Sequence, residues 1–434
     1  MPNGLRSAHR GWELANVQRL AVIGAGAKAA AICAKAACIR DETRLPIEVT
    51  VFERHRPGAN WTGDHGYSDG AQRLCTPAER DIGFPYDPAS YGDAVSRAMY
   101  SRYSWLAYKA SSGSYGDWVD RGRPRPGHNE FANYLDACIR ASGYPIVQGE
   151  VVGLTPTGSK WSIGVNEPSA RRVHGEFDGV VATGPGPAAP KFDVAPGAVV
   201  YDSVDFWNRL EDARTACLGQ PDEPVVIVGS GGTAAATASW LVRADVPNEI
   251  IILGGQPALF ARTDSFFENR AFRDPDIWAT LSEAHRLAFS DRLTRGAVWA
   301  NVVDDLSRSD RVFYRPGTVS AARVADSGGT YVEYATSATP TAVSQEAVIV
   351  VDASGFDLAW FADLLPPALC RQVRDDIGAM RSGMDASTAL PLAGAPKLHA
   401  PMLSQLISPS FASLIALGDM SDAILLPYIE ALMA

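Results

Sequence analysis

Residues 19–30 read RLAVIGAGAKAA, and the fold turns on how that stretch is read. Leu20 to Ile23 is an apolar run suited to a strand buried on both faces, and an alanine-rich helical stretch follows it. Between the two, Gly24 permits a tight turn, Gly26 lets the backbone approach a pyrophosphate, and Ala29 lets helix and strand pack closely. The helix N-terminus then faces the anion with unsatisfied N–H groups. One such turn is common and says little. Residues 224–242, PVVIVGSGGTAAATASWLV, carry the same pattern, with Gly229, Gly231 and Thr233 in the second turn. Two strand–turn–helix units in one chain predict an α/β protein with two Rossmann-like dinucleotide-binding domains.

Neighbouring strands refine the two sites. IEVTVFER (47–54) brings Glu53 to the end of the second strand, 29 positions after Gly24, where a carboxylate accepts hydrogen bonds from ribose hydroxyls. The corresponding strand of the second unit, EIIILGG (249–255), ends without an acid, and Arg262 follows. A missing carboxylate and a nearby guanidinium suit a 2′-phosphate. The expectation is FAD on the first unit and NADPH on the second. FDGVVATGPGP (177–187) and AVIVVDASGFD (347–357) read as returns to a parallel sheet, and 155–176 and 311–346 alternate as antiparallel strands do. The expected division is an FAD domain made of 1–205 and 311–434, with an NADPH domain, 206–310, inserted in it.

Composition narrows the class. The chain has 434 residues, 46% of them hydrophobic, and a formal net charge of −10, which argues against a nucleic-acid surface. Six scattered cysteines contain no Cys-x-x-Cys pair, and seven histidines show no metal-ligand spacing, so neither a metal site nor a disulfide framework is expected. The N-terminal stretch has no signal-peptide core and no apolar run is long enough to span a bilayer, so the expected place is the cytoplasm.

Two dinucleotides in one chain imply hydride transfer from a nicotinamide to a flavin. Without a redox-active cysteine pair the electrons are expected to pass to oxygen, through an adduct at flavin C4a, as in a monooxygenase. A reductase or NADPH oxidase serving a partner, and a nucleotide-binding regulator, remain as alternatives.

The chain resembles the flavin-dependent N-hydroxylating monooxygenases of siderophore biosynthesis, the mycobactin-type lysine N6-hydroxylases in particular. LAVIGAGAKA, GANW, DGAQRL, ERDIGFPY, RYSW, DWVDRGRP, LFAR and FFEN carry the resemblance over nearly the whole length. It implies an amine substrate, with L-lysine first and L-ornithine or a diamine behind it, O2 as co-substrate, and a homodimer or homotetramer. By position it implies that Trp61 of GANW and Gln72 lie near the flavin. Arg80 of ERDIGFPY would supply the cation for the substrate α-carboxylate, and Asn269 of FFEN would touch substrate and nicotinamide. Trp299 would stand where a second substrate-contacting Asn falls, with Asn301 two residues on. Asp422, or Asp419, would sit on a C-terminal turn against the flavin. Arg80 replaces a lysine, and the change alters the reach of the cation while keeping its charge.

Blander readings stand beside these. Arg80 could pair with Glu79 or Asp81 on a surface turn, and Asn269 could cap a helix. Lys28 could meet phosphate or solvent. His65 is the one histidine expected near the flavin.

Overall fold

The computed structural model describes residues 17–88, 91–292, 297–326, 328–339 and 341–434; the N-terminal stretch, with His9, lies outside the described residues. Two parallel five-stranded sheets organise the chain. The first orders its strands Lys397–His399, Gly179–Ala182, Gln18–Ile23, Ile47–Glu53 and Ile146–Gln148. The second orders Val312–Pro316, Ile250–Gly254, Val225–Val228, Ile349–Asp352 and Val200–Tyr201. Both central strands, Gln18–Ile23 and Val225–Val228, run straight into the glycine turns.

Helix Ala27–Thr43 follows the first turn and is buried from Ala27 through Ile39. From Ala27 to Ile39 it is apolar all the way round except for Lys28 and Lys35, so it must be covered on every side. Helices Asp93–Tyr103, His128–Ala141 and Leu417–Met433 cover it together with the sheet. The opposite face of the sheet is closed by an antiparallel meander, Glu150–Thr157, Lys160–Asn166 and Arg171–Phe177, which joins Trp161, Ile163 and Val165 to Ile23 and Phe52 in one core. In the second unit, strands Thr318–Val324, Thr330–Ala335 and Val343–Ala347 lay Val319, Ala322 and Val332 against Val226, Val228 and Ile251.

The strand pairing moves the expected domain limits. Val200–Tyr201, Val312–Pro316 and Ile349–Asp352 pair into the sheet of the second unit, outside 206–310. We therefore place that unit at about 200–352, since cutting a sheet at 310 would leave ladder hydrogen bonds unmade. The chain returns to the first sheet at Lys397–His399, beside Gly179–Ala182. Among the described residues no helix is long and apolar enough to cross a membrane.

Burying helix Ala27–Thr43 on all sides puts Lys35 in the interior, 2% exposed, and its Nζ lies 2.6 Å from Asp422 Oδ1 of the last helix. Removing one partner of a buried pair leaves a desolvated charge uncompensated. Lys35→Ala is expected to cost about 3–5 kcal/mol, while joint replacement by Met at 35 and Leu at 422 restores most of it. Urea unfolding of the three proteins checks this; a single variant as stable as wild type would contradict it.

Candidate functional site

The first glycine turn is built to leave donors open. Gly24 has φ +91°, and a side chain there would meet Thr183 Oγ1 at 2.9 Å, while Thr183 Oγ1 itself donates to Ile23 O. Gly26 stands at the N-cap of helix Ala27–Thr43 without a side-chain cap, and a Cβ on it would face open space. The first-turn N–H groups of a helix need partners, and here they face a groove that an anion can fill. Glu53 closes one side: Oε2 accepts from Ala25 N and Oε1 from His55 N, both at 2.8 Å. The segment GANW is bound to the same turn, because Gly58 N donates to Ala25 O at 2.9 Å. Gly58 has φ +72°, and a Cβ there would strike Ala132, so helix His128–Ala141 lies directly behind it. Trp61, half-buried, packs edge-on against His128 and Phe131.

Three residues expected near the flavin make these contacts. Asp422 lies inside helix Leu417–Met433, paired with Lys35, in place of the expected turn. Gln72 Nε2 donates to Ala236 O in helix Gly232–Arg243 of the second unit, and Arg243 pairs with Asp69 beside it. The loop that carries Gln72 is thus a seam between the units. His65 stacks on His55 at 3.9 Å, at the end of the Glu53 strand. Lys28 does not face solvent. It is 6% exposed, donates to Ser413 O at 3.3 Å, and burial presses its pKa down to about 8.

The second turn repeats the first. Gly229 has φ +135°, and a Cβ there would come within 2.4 Å of Ala353 O. Gly231 is the uncapped N-cap of helix Gly232–Arg243, with Thr233 in its first turn.

Between the units lies a set of cations on aromatic rings. Arg80 is half-buried, 5.1 Å over the Phe84 ring, and Arg273 shares that ring at 5.1 Å. Arg80 does not pair with Asp81, whose carboxylate is taken by Trp105 N, Tyr86 OH and Gly83 N. Its Nη1 is buried with no hydrogen-bond partner among the described residues. Phe84 is held in turn by the last helix, through Gly418 N to Phe84 O at 2.9 Å. Asn269 lies in helix Phe266–Arg273, one turn before Arg273, and Ser265 caps that helix, so Asn269 is not a cap. Trp299 is flanked by Arg125 at 4.7 Å and Arg262 at 5.4 Å. Arg262 stacks also on Phe272. Burial, and then the nearby Arg80, lower its pKa against the pull of Glu268. Sequence reasoning passed over Arg125 and Arg273. The spacing of Arg273 from Asn269 on one helix face was the available signal for the second.

Two carboxyls of this region titrate high. Burial outweighs four donors at Asp81, Tyr86 OH and the backbone N–H groups of Trp105, Gly83 and Phe84, and raises it to about 6. At Asp419 burial, with Asp422, outweighs Arg273 and raises it to about 7. Both exceed the roughly 4 of an unfolded carboxyl, so the native state holds protons the unfolded chain has lost. Their contribution is complete below about pH 4 and fades as pH rises through 6 and 7. Asp419→Asn is expected to flatten the upper part of that decline; urea midpoints that fall as steeply as wild type between about pH 6 and 7.5 would contradict it.

Comparison with known proteins adds to this geometry. The profile described as L-lysine 6-monooxygenase/L-ornithine 5-monooxygenase matches residues 93–307. The L-lysine N6-monooxygenase MbtG of Mycolicibacterium paratuberculosis is 34% identical over 419 residues, covering 94% of each chain. MbtG of Mycobacterium tuberculosis is 34% identical over 429 residues, again covering 94% of each. Among solved structures, the lysine monooxygenase NbtG from Nocardia farcinica superposes with a TM-score of 0.79 at 28% identity, over 94% of this chain and 100% of that one.

Proposed function

This chain belongs to the L-lysine 6-monooxygenase/L-ornithine 5-monooxygenase family of flavin-dependent N-hydroxylases, and from that premise we propose that it hydroxylates the N6 amine of L-lysine with FAD, NADPH and O2, in siderophore or related biosynthesis. The reaction consumes amine, O2, NADPH and a proton and releases hydroxylamine, NADP+ and water. The observation that carries the reading is the half-buried guanidinium of Arg80, whose Nη1 has no hydrogen-bond partner among the described residues, together with two glycine turns that each offer uncapped helix N–H groups.

FAD, when bound, supplies the redox chemistry: it takes a hydride from NADPH and activates oxygen. The residues present fit it. Gly24, Gly26 and Ala29 cradle the pyrophosphate. Each Glu53 oxygen accepts one backbone N–H and keeps a lone pair for a ribose hydroxyl. A cavity of about 420 Å³ beside this strand end, lined by His55, Gln148 and Asn166 among others, receives the adenosine end. Trp61, tied to the turn through Gly58, flanks the flavin ring. Gly229, Gly231 and Thr233 hold the NADPH pyrophosphate, and the strand that ends in Gly254 lacks the carboxylate that would repel a 2′-phosphate.

The remaining work is binding and exclusion of water. Arg80 grips the α-carboxylate, Asn269 orients the substrate beside the nicotinamide, and Trp299 walls the cleft. No side chain is required as general acid or base. The amine must arrive as the free base, and an enclosed, cation-rich cleft disfavours ammonium. We place the enzyme in the cytoplasm as a homodimer or homotetramer.

Product-coupled screening of lysine, ornithine and diamines for hydroxylamine tests the reading, and lysine is expected to lead; peroxide alone with every amine would overturn it. Arg80→Ala is expected to raise the KM for lysine about 10- to 150-fold, the equivalent of roughly 1.5–3 kcal/mol for a charged hydrogen bond, and to leave the rate of flavin reduction by NADPH as it was. An unchanged KM would remove Arg80 from carboxylate binding.

A further inference from the structure

A second cluster of cations lies outside the Arg80 position. A cavity of about 420 Å³ is lined by Arg73, Arg125, Arg262, Asp264, Trp299 and Asn301 among others. Three guanidiniums face one carboxylate there. Arg73 and Arg125 are tethered, since Arg73 Nη1 donates to Arg125 O at 2.9 Å, and Arg73 bridges to Gly127 through its backbone. Arg262 is 93% buried by its 7% exposure, clamped between Phe272 at 4.5 Å and Trp299 at 5.4 Å. Arg125 covers Trp299 from 4.7 Å.

Both rings of the clamp serve to aim forks. With two guanidiniums on Trp299, its indole holds the arginines and is not left as a platform for a ligand. Stacking fixes the guanidinium plane without using its N–H groups, and those converge on oxyanions bidentately. At Arg125 the competing acceptors are loose. Arg125 meets Asp264 Oδ2 and Asn301 Oδ1 at 3.5 Å each, longer than a charged hydrogen bond of good geometry. A carboxylate or phosphate entering the cleft can replace both.

We propose that this cleft is a second anion-binding subsite, and that it takes a carboxylate or phosphate carried by the amine substrate in addition to the carboxylate held by Arg80. The inference rests on the proposed function for the word substrate. Asp264 links the two places: it faces Arg125 at 3.5 Å and also supports the charge of both Arg80 and Arg262. An oxyanion in the cleft therefore sits beside the Arg80 carboxylate position, on the side of Trp299 and Asn301. The substrate class is a lysine extended by an acidic group. The other source of the same chemistry is the 2′-phosphate of NADPH, and the test separates the two.

The probes are Nα-succinyl-L-lysine and its neutral isostere Nα-succinamoyl-L-lysine, bound to oxidised holoenzyme and followed by calorimetry and tryptophan fluorescence. The acid is expected to bind at least about tenfold tighter, a preference that shrinks with added salt. Arg125→Gln, and Arg73→Gln with Arg125→Gln, bring the ratio towards one, and Arg125→Lys keeps part of it. Equal binding of the two probes to wild type, or a ratio that survives in the Gln variants, overturns the proposal. So does a rise in KM for NADPH but not for NADH in those variants with the probe ratio unchanged, which assigns the cleft to the cofactor. Should a Gln variant fail to retain FAD, the wild-type salt dependence of the ratio decides. Binding is read without turnover, so a failure to form hydroxylamine would count against the proposed function and leave this measurement standing.

Discussion

Helix Ala27–Thr43 is buried on every side, and the rest of the molecule is arranged to make that possible. An apolar helix in the centre of a domain can present only its ends to a ligand. Its N-terminus is therefore the one place where it meets a groove, and its open N–H groups are held there by sheet, meander and three helices at once. The Lys35–Asp422 pair locks the last helix of the chain onto the first. That contact fixes more than stability. Gly418, one turn before Asp422, hydrogen-bonds Phe84, and the Phe84 ring carries Arg80 and Arg273. The first glycine turn and Arg80 thus share one rigid support: Lys28, beside the turn, donates to Ser413 O just ahead of the same last helix.

The second unit is attached differently. Its glycine helix meets the first unit through Gln72 and Asp69, and the segment after its second strand meets it through Trp278 and Arg286, both of which donate to Leu406 O. Beside these polar contacts stands one small apolar cluster, Phe272 with Ile415, so the joint has far less shared core than either unit has within itself and allows relative movement more readily. Chemistry that needs two dinucleotides to meet and part is served by such a joint.

Much of this was legible in the sequence. The two glycine turns fixed the parallel sheets because each motif demands a buried strand before it and a helix after it. Glu53 was legible because a strand end is a geometrical place. What escaped were features set by pairing across distance. Nothing local distinguishes Val312–Pro316, which enters the second parallel sheet, from the antiparallel strands that follow it. Asp422 is expected on a turn from the resemblance of MSDAIL (420–425) to a flavin-contacting turn, yet burial against Lys35 carries the helix through it. The stacking of Arg262 was not legible, because its rings, Phe272 and Trp299, lie 10 and 37 positions further along the chain.

The charge distribution explains how an acidic chain handles a basic substrate. A net charge of −10 would draw in lysine, which carries a net charge of about +1 near neutrality. At physiological ionic strength that attraction is screened beyond roughly 8 Å, so the field inside the cleft is set by its own lining. There Arg80, Arg125, Arg262 and Arg273 outnumber Asp264, Glu268 and Asp419, and Asp419, raised to about 7, carries only part of its charge near neutrality. A like-charged site raises the cost of an ammonium while it pays for the carboxylate. The arrangement that grips one end of an amino acid therefore also strips the proton from the other, and it leaves the free amine whose lone pair the oxidation requires.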